Sequence, residues 1–157
     1  MTMPSISRRD WLTATTAAAA LLVSRRLPAA PAAAKTITIY KSPTGGCCAR
    51  WVDHVRAAGF ATTIHDTPDM DPIKAKYGVP KALQSCHTAL VGGYVVEGHV
   101  PAADIRRMLA TRPKIVGLAV PGMVTGSPGM EVPGRPAERY DVVAWDAAGK
   151  TQTFARH

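Results

Sequence analysis

No two cysteines in the 157-residue chain are separated by the two residues that let a dithiol oxidoreductase's second thiol reach back to its first. There are only three cysteines, the neighbours Cys47 and Cys48 and the distant Cys86. Aromatic residues make up 6% of the chain and no basic run is longer than two, so a nucleic-acid groove with stacking side chains is excluded. The one long apolar stretch, Trp11 to Val23, falls short of the roughly 20 residues a membrane-spanning helix needs.

What precedes and follows that stretch gives it a meaning. "SRRDWLTATTAAAALLV" pairs Arg8 and Arg9 ahead of the apolar segment, and "PAAPAAAK" offers an Ala-x-Ala cleavage site ending at Ala34. The arrangement resembles a twin-arginine export signal. It implies that residues 1–34 are a cleaved leader, that the protein is periplasmic, and that no stable membrane insertion remains after cleavage. Taking away Arg8, Arg9, Arg25, Arg26 and Asp10 leaves 15 basic and 10 acidic residues, a mildly basic 123-residue domain spanning 35–157. In an oxidising compartment an odd number of cysteines leaves at least one free, paired with another chain, or held by something other than sulfur.

Periodicity orders the rest. "TITIYK" (36–41) alternates β-branched residues as a strand does. "CCARWVDHVRAAGF" then sets Cys48, Trp51, Val52 and Val55 at helical spacing, with Gly59 as its stop. "ATTIHDT" predicts a second strand and "DMDPIKAKYG" a short helix with Pro72 in its first turn. "HTALVGGYVVEG" predicts two strands about a Gly92-Gly93 turn, and "PAADIRRMLATRP" a closing helix. Beyond residue 116 the expectation is a Gly/Pro/Met loop and a terminal β-hairpin, "YDVVAWDAAGKTQTFARH", which either extends the sheet or covers the site. The order β-α-β-α-β-β-α, with cysteine at the first strand-to-helix junction, resembles a single α/β thioredoxin-like domain. Where that fold usually has a cis-proline before its third strand, this chain has Ser85-Cys86. In such a fold Cys47, Cys48, Cys86, His87 and His99 gather at one end of the sheet.

The two adjacent thiols project about 100° apart on a helix. Cys48 heads the apolar stripe and would serve equally well as a small core residue, whereas Cys47 shares a face with Arg50 and His54. Both lie at a helix N-terminus, which favours thiolate. Neighbouring cysteines make a strained disulfide. Diverging thiolates that cluster with a third suit a soft metal ion, copper(I) or zinc. "VPGMVTGSPGME" presents Met123 and Met130 after Pro-Gly bends, and thioethers favour copper(I) over zinc; as gap-filling core residues they would carry no such meaning.

"IYKSPTGGCCARWVDHV", "SCHTALVGGYVVEGHVPAADI" and "GLAVPGMVTGSPGME" together resemble the small exported metal-binding proteins of the CopG type linked to bacterial copper resistance, the DUF411 family. The likeness runs from about Ile37 to Glu131. It implies copper ions held by Cys47, Cys48 and Cys86, with His87, His99, Met123 and Met130 completing the shell. The first motif of the family is usually Cys-x-Cys-Cys, and Gly45 stands where its first cysteine would be. Binding rather than catalysis is the expected role. A thiol-disulfide or copper redox enzyme on the same fold is the alternative, and a chaperone passing copper to other periplasmic copper-handling proteins is a third.

Overall fold

The computed structural model describes residues 35–157. The export leader expected over residues 1–34 lies outside the described residues. Strands β1 (Thr36–Lys41), β2 (Ala61–Asp66), β3 (His87–Val91), β4 (Tyr94–Glu97), β5 (Gly117–Ala119), β6 (Asp141–Trp145) and β7 (Thr151–Arg156) form one seven-stranded sheet in the order β2-β1-β3-β4-β5-β6-β7. The helices are α1 (Gly46–Ala57), α2 (Asp71–Lys76) and α3 (Ala102–Thr111), with a 3₁₀ turn at Lys81–Leu83. The described residues therefore form a mixed α/β structure with a single sheet and few helices.

Each expected element up to Thr111 has a counterpart. In β1 the residues Ile37, Ile39 and Lys41 face inward, as alternation predicts. Its parallel partner β2 reaches it through α1, while β3 runs antiparallel with Lys41 opposite His87. Gly92 and Gly93 both adopt positive φ, +56° and +89°, the conformation a tight primed hairpin turn demands. The main core lies between the sheet and the pair α1 and α3. Trp51, Val52 and Val55 from α1 meet Ile105, Met108 and Leu109 from α3 over Ile39, Ala89, Val96 and Leu118. Burying each aliphatic side chain contributes about 1.5–3 kcal/mol. A second cluster on the opposite face packs Val79 and Leu83 onto Val95, Ala119 and Trp145, so β3 and β4 are covered on both sides.

The region past residue 116 resolves the choice left open above: the terminal hairpin extends the sheet. Its link is β5, which the sequence reading passed over as loop. This strand pairs in parallel with β4 and antiparallel with β6. A Cβ at Gly117 would fall 2.1 Å from the Val95 carbonyl oxygen, so glycine is what allows β5 to close on β4. Among the described residues no helix is long and apolar enough to cross a membrane.

Candidate metal centre

The β1-to-α1 junction places the first two candidate ligands. A turn closed by the Gly45 N–H on the Ser42 carbonyl leads into α1, whose N-cap is Gly45 and carries no side-chain cap. Cys47 and Cys48 follow in the first turn, where backbone N–H groups lack helical acceptors. Cys48 is 1% exposed and Cys47 partly so. Cys86 stands immediately before β3, and His99 two residues past the end of β4.

Because β3 lies beside β1, these segments converge. The Cys48 and Cys86 sulfurs are 3.3 Å apart, Cys47 and Cys48 4.0 Å, and Cys86 Sγ lies 3.0 Å from His99 Nε2. The three sulfurs and one His99 nitrogen all fall within 4.8 Å of one another. An ion with metal–sulfur bonds of about 2.3 Å separates tetrahedral ligand atoms by roughly 3.8 Å, so the group spans the dimensions of a shared metal site. The orientation of His99 suits it. Its Nδ1 lies 2.7 Å from the Pro128 carbonyl oxygen, which can only accept, so the N–H is on Nδ1 and Nε2 offers its lone pair to the cluster.

The other expected residues are placed differently. His87 is fully buried with its ring 4.4 Å from Trp51 and Nδ1 3.3 Å from Cys86 Sγ, outside the tight group of four; its Nε2 has no hydrogen-bond partner among the described residues. Met123 is 51% exposed and Met130 half-buried. The backbone beside each is tied to a cysteine segment. Ser85 Oγ donates to the Gly122 carbonyl at 2.5 Å, and Arg50 Nε to the Gly129 carbonyl at 2.8 Å. Both Pro-Gly-Met bends are thus tied to the segments that carry the thiols.

Electrostatics departs from the helix-terminus expectation. Burial, then the neighbouring Cys86, push the Cys47 thiol up rather than down. The hydrogen bond from Cys48 and burial push Cys86 up to about 12. At Cys47 and Cys86 burial and the neighbouring sulfurs disfavour the thiolate, and one helix end does not compensate. Burial works against a charged His99, but hydrogen bonds to Cys86 and the Pro128 carbonyl outweigh it and raise its pKa. For His87, burial and the nearby His99 and Lys74 charges drive the pKa well below the usual imidazole value, so this ring stays neutral.

The sequence reading missed a buried polar network behind Cys86. Glu97, wholly buried on β4, accepts from Lys74 Nζ at 2.5 Å, the Ser85 N–H at 2.7 Å and Thr88 Oγ1 at 2.6 Å. A glutamate inside the apolar strand "YVVE" was the available signal, since an unpaired buried carboxylate is prohibitively costly.

Two solved structures are similar. One named "Copper resistance protein copG- Form 2" has a TM-score of 0.75 and 43% identity, covering 79% of this chain and 98% of its own. The second, "Copper resistance protein copG- Form 1", has a TM-score of 0.73 and the same 43% identity, covering 78% of this chain and 96% of its own. A family model described as "Protein of unknown function, DUF411" matches residues 83–130, the stretch from the 3₁₀ turn through Cys86 and His99 to Met130. No curated protein matches by sequence. The Cys₃His cluster fits a metal ion, and with these neighbours copper is the metal it fits best. At 43% identity over nearly the whole length of those structures, the chain belongs to the CopG-type copper resistance family, DUF411.

Proposed function

We propose that this chain is a periplasmic copper-resistance protein that binds copper(I) through Cys47, Cys48, Cys86 and His99, with His87, Met123 and Met130 in support. The observation that carries the reading is the convergence of three sulfurs and one correctly oriented imidazole nitrogen within 4.8 Å. Soft thiolates select copper(I), and the anchored methionine bends favour it over zinc. A thioredoxin-like ancestry is supported by the β2-β1-β3-β4 order and by cysteines at the β1-to-α1 junction. The exposed Met123 is positioned for exchange with other copper-handling proteins. The test is anaerobic titration of the reduced protein with copper(I) against a competing chelator. Uptake with thiolate-to-copper charge-transfer absorption is expected. Efficient metal-free turnover of a disulfide substrate, together with negligible copper uptake, would replace this reading with the thiol-disulfide enzyme.

Export is open to a separate measurement. Arg8→Lys with Arg9→Lys is expected to leave unprocessed protein in the cytosol, because the paired arginines address the folded-protein exporter. Normal periplasmic accumulation of the double variant would remove the assignment.

Gly45 also has a definite geometry. Its φ of −75° is open to any residue, and a Cβ there would lie 3.2 Å from Cys48 Sγ. Gly45→Cys therefore directs a fourth thiol at the cluster. It is expected to add an ion or tighten copper(I) binding by about tenfold or more, each factor of ten being about 1.4 kcal/mol. Equal stoichiometry and affinity in the folded variant would show that the existing donors suffice.

A further inference from the structure

The geometry points to Glu97 as the positioning residue of the metal centre: it holds Cys86 in reach of Cys48 through the backbone N–H of Ser85. The inference rests on the copper-binding reading of the cluster. Cys86 lies outside β3, so the ladder does not fix it directly. Its preceding residue is held instead at two points, by the Ser85 N–H on Glu97 Oε1 at 2.7 Å and by Ser85 Oγ on the Gly122 carbonyl at 2.5 Å.

Glu97 is itself over-determined. Thr88, its cross-strand partner, donates to Oε2 at 2.6 Å, and Lys74 Nζ reaches Oε1 at 2.5 Å and Thr88 Oγ1 at 3.2 Å. Lys74 is 4% exposed and Glu97 is fully buried. A buried ion pair is a poor source of stability, since an apolar pair of similar volume does as well or better, so its retention asks for another reason. Beyond the ion pair and the threonine, the carboxylate accepts one further hydrogen bond, and it comes from the residue before the central cysteine. The ion pair locks the carboxylate, and the carboxylate locks the cysteine. Outer partners of this kind typically carry 10–100-fold in metal affinity.

Two double variants separate positioning from general structure. In Lys74→Met/Glu97→Gln the amide oxygen can still accept from Ser85, whereas in Lys74→Met/Glu97→Leu nothing can. Each is measured in two ways: copper(I) affinity against a chelator, and the equilibrium of the metal-free protein with oxidised glutathione. In the second, the Cys48 and Cys86 thiols form one disulfide, and one glutathione disulfide is reduced to two glutathione thiols. The equilibrium constant reports how closely the two sulfurs are held. The leucine pair is expected to lose about tenfold or more in both readouts, and the glutamine pair to stay within about threefold of the wild type. A folded leucine pair with unchanged values, or equal losses in both pairs, would overturn the inference.

Should the leucine pair not fold, Ser85→Pro and Ser85→Ala carry the same test. Both lose the hydroxyl but only proline loses the N–H, and Gln84 at ψ 143° already suits a following proline. Equal effects of the two would overturn the proposal. If the wild-type protein takes up no copper the binding reading fails, and the glutathione equilibrium still decides the role of Glu97.

Discussion

Cys86→Ser is expected to weaken copper(I) binding by about 100-fold or more. Its sulfur is the hub of the centre, 3.3 Å from Cys48, 3.0 Å from His99 Nε2 and 3.3 Å from His87 Nδ1. Structural zinc sites built on thiolates hold their ion with on the order of 10–16 kcal/mol, and on that scale one of four donors is worth about 3 kcal/mol. Serine supplies a hard oxygen in place of a soft sulfur. Proton competition adds a second signature. With the Cys86 thiol pushed up to about 12 and Cys47 also raised, copper must displace protons at neutral pH. Wild-type affinity therefore rises with pH, by about tenfold per unit for each proton displaced, until the thiol pKa is passed. The serine variant should show a slope smaller by one proton. Chelator competition at about pH 6 and about pH 8 reads both effects. An affinity within about threefold of wild type with an unchanged slope would remove Cys86 from the ligand set.

Gly129→Ala is expected to lower stability by about 3 kcal/mol and the melting temperature by roughly 10 °C. Gly129 sits at φ +84°, and a Cβ there would fall 2.7 Å from the Trp51 nitrogen and 2.9 Å from the Cys47 carbonyl oxygen. Both obstacles are backbone atoms of α1, so the loop must move. Gly134→Ala is the control. It also has positive φ, +76°, but a methyl group there meets nothing within 4 Å, so only the conformational term of about 1–2 kcal/mol applies. The two variants should differ by the contact with α1. As the loop lifts, the Pro128 carbonyl leaves His99 Nδ1, and copper binding should weaken along with stability. Equal melting temperatures for the two variants would mean that the loop does not rest on α1.

These residues also show what a single sequence reveals. Strand β1, helix α1 and the β3–β4 hairpin were legible because their patterns are local: alternation in "TITIYK", helical spacing from Cys48 to Val55, and a glycine pair where both residues need positive φ. Strand β5 was not. Three residues are too few to show a period, and Gly117 signals breakage locally although it is needed for close approach to Val95. The convergence of Cys47, Cys48, Cys86 and His99 was legible because strand order brings their segments to one end of the sheet. The direction of the thiol pKa shifts was not. A helix N-terminus is visible in a sequence, but burial and the approach of Cys86 arise only in the folded chain. Likewise Lys74 and Glu97 are 23 positions apart, and nothing near either residue names the other.

The separation of Cys48 from Cys86 by 38 positions gives any ion between them the character of a cross-link. Closing a loop of that length removes about 4 kcal/mol of chain entropy from the unfolded ensemble, to the extent that the ion stays bound there. Loaded protein would then open less often than empty protein, and a protease acting on the opened state would digest the empty form first. Metal occupancy would set the lifetime of the protein as well as its task, with the cell's store of intact molecules following the supply of the ion they bind.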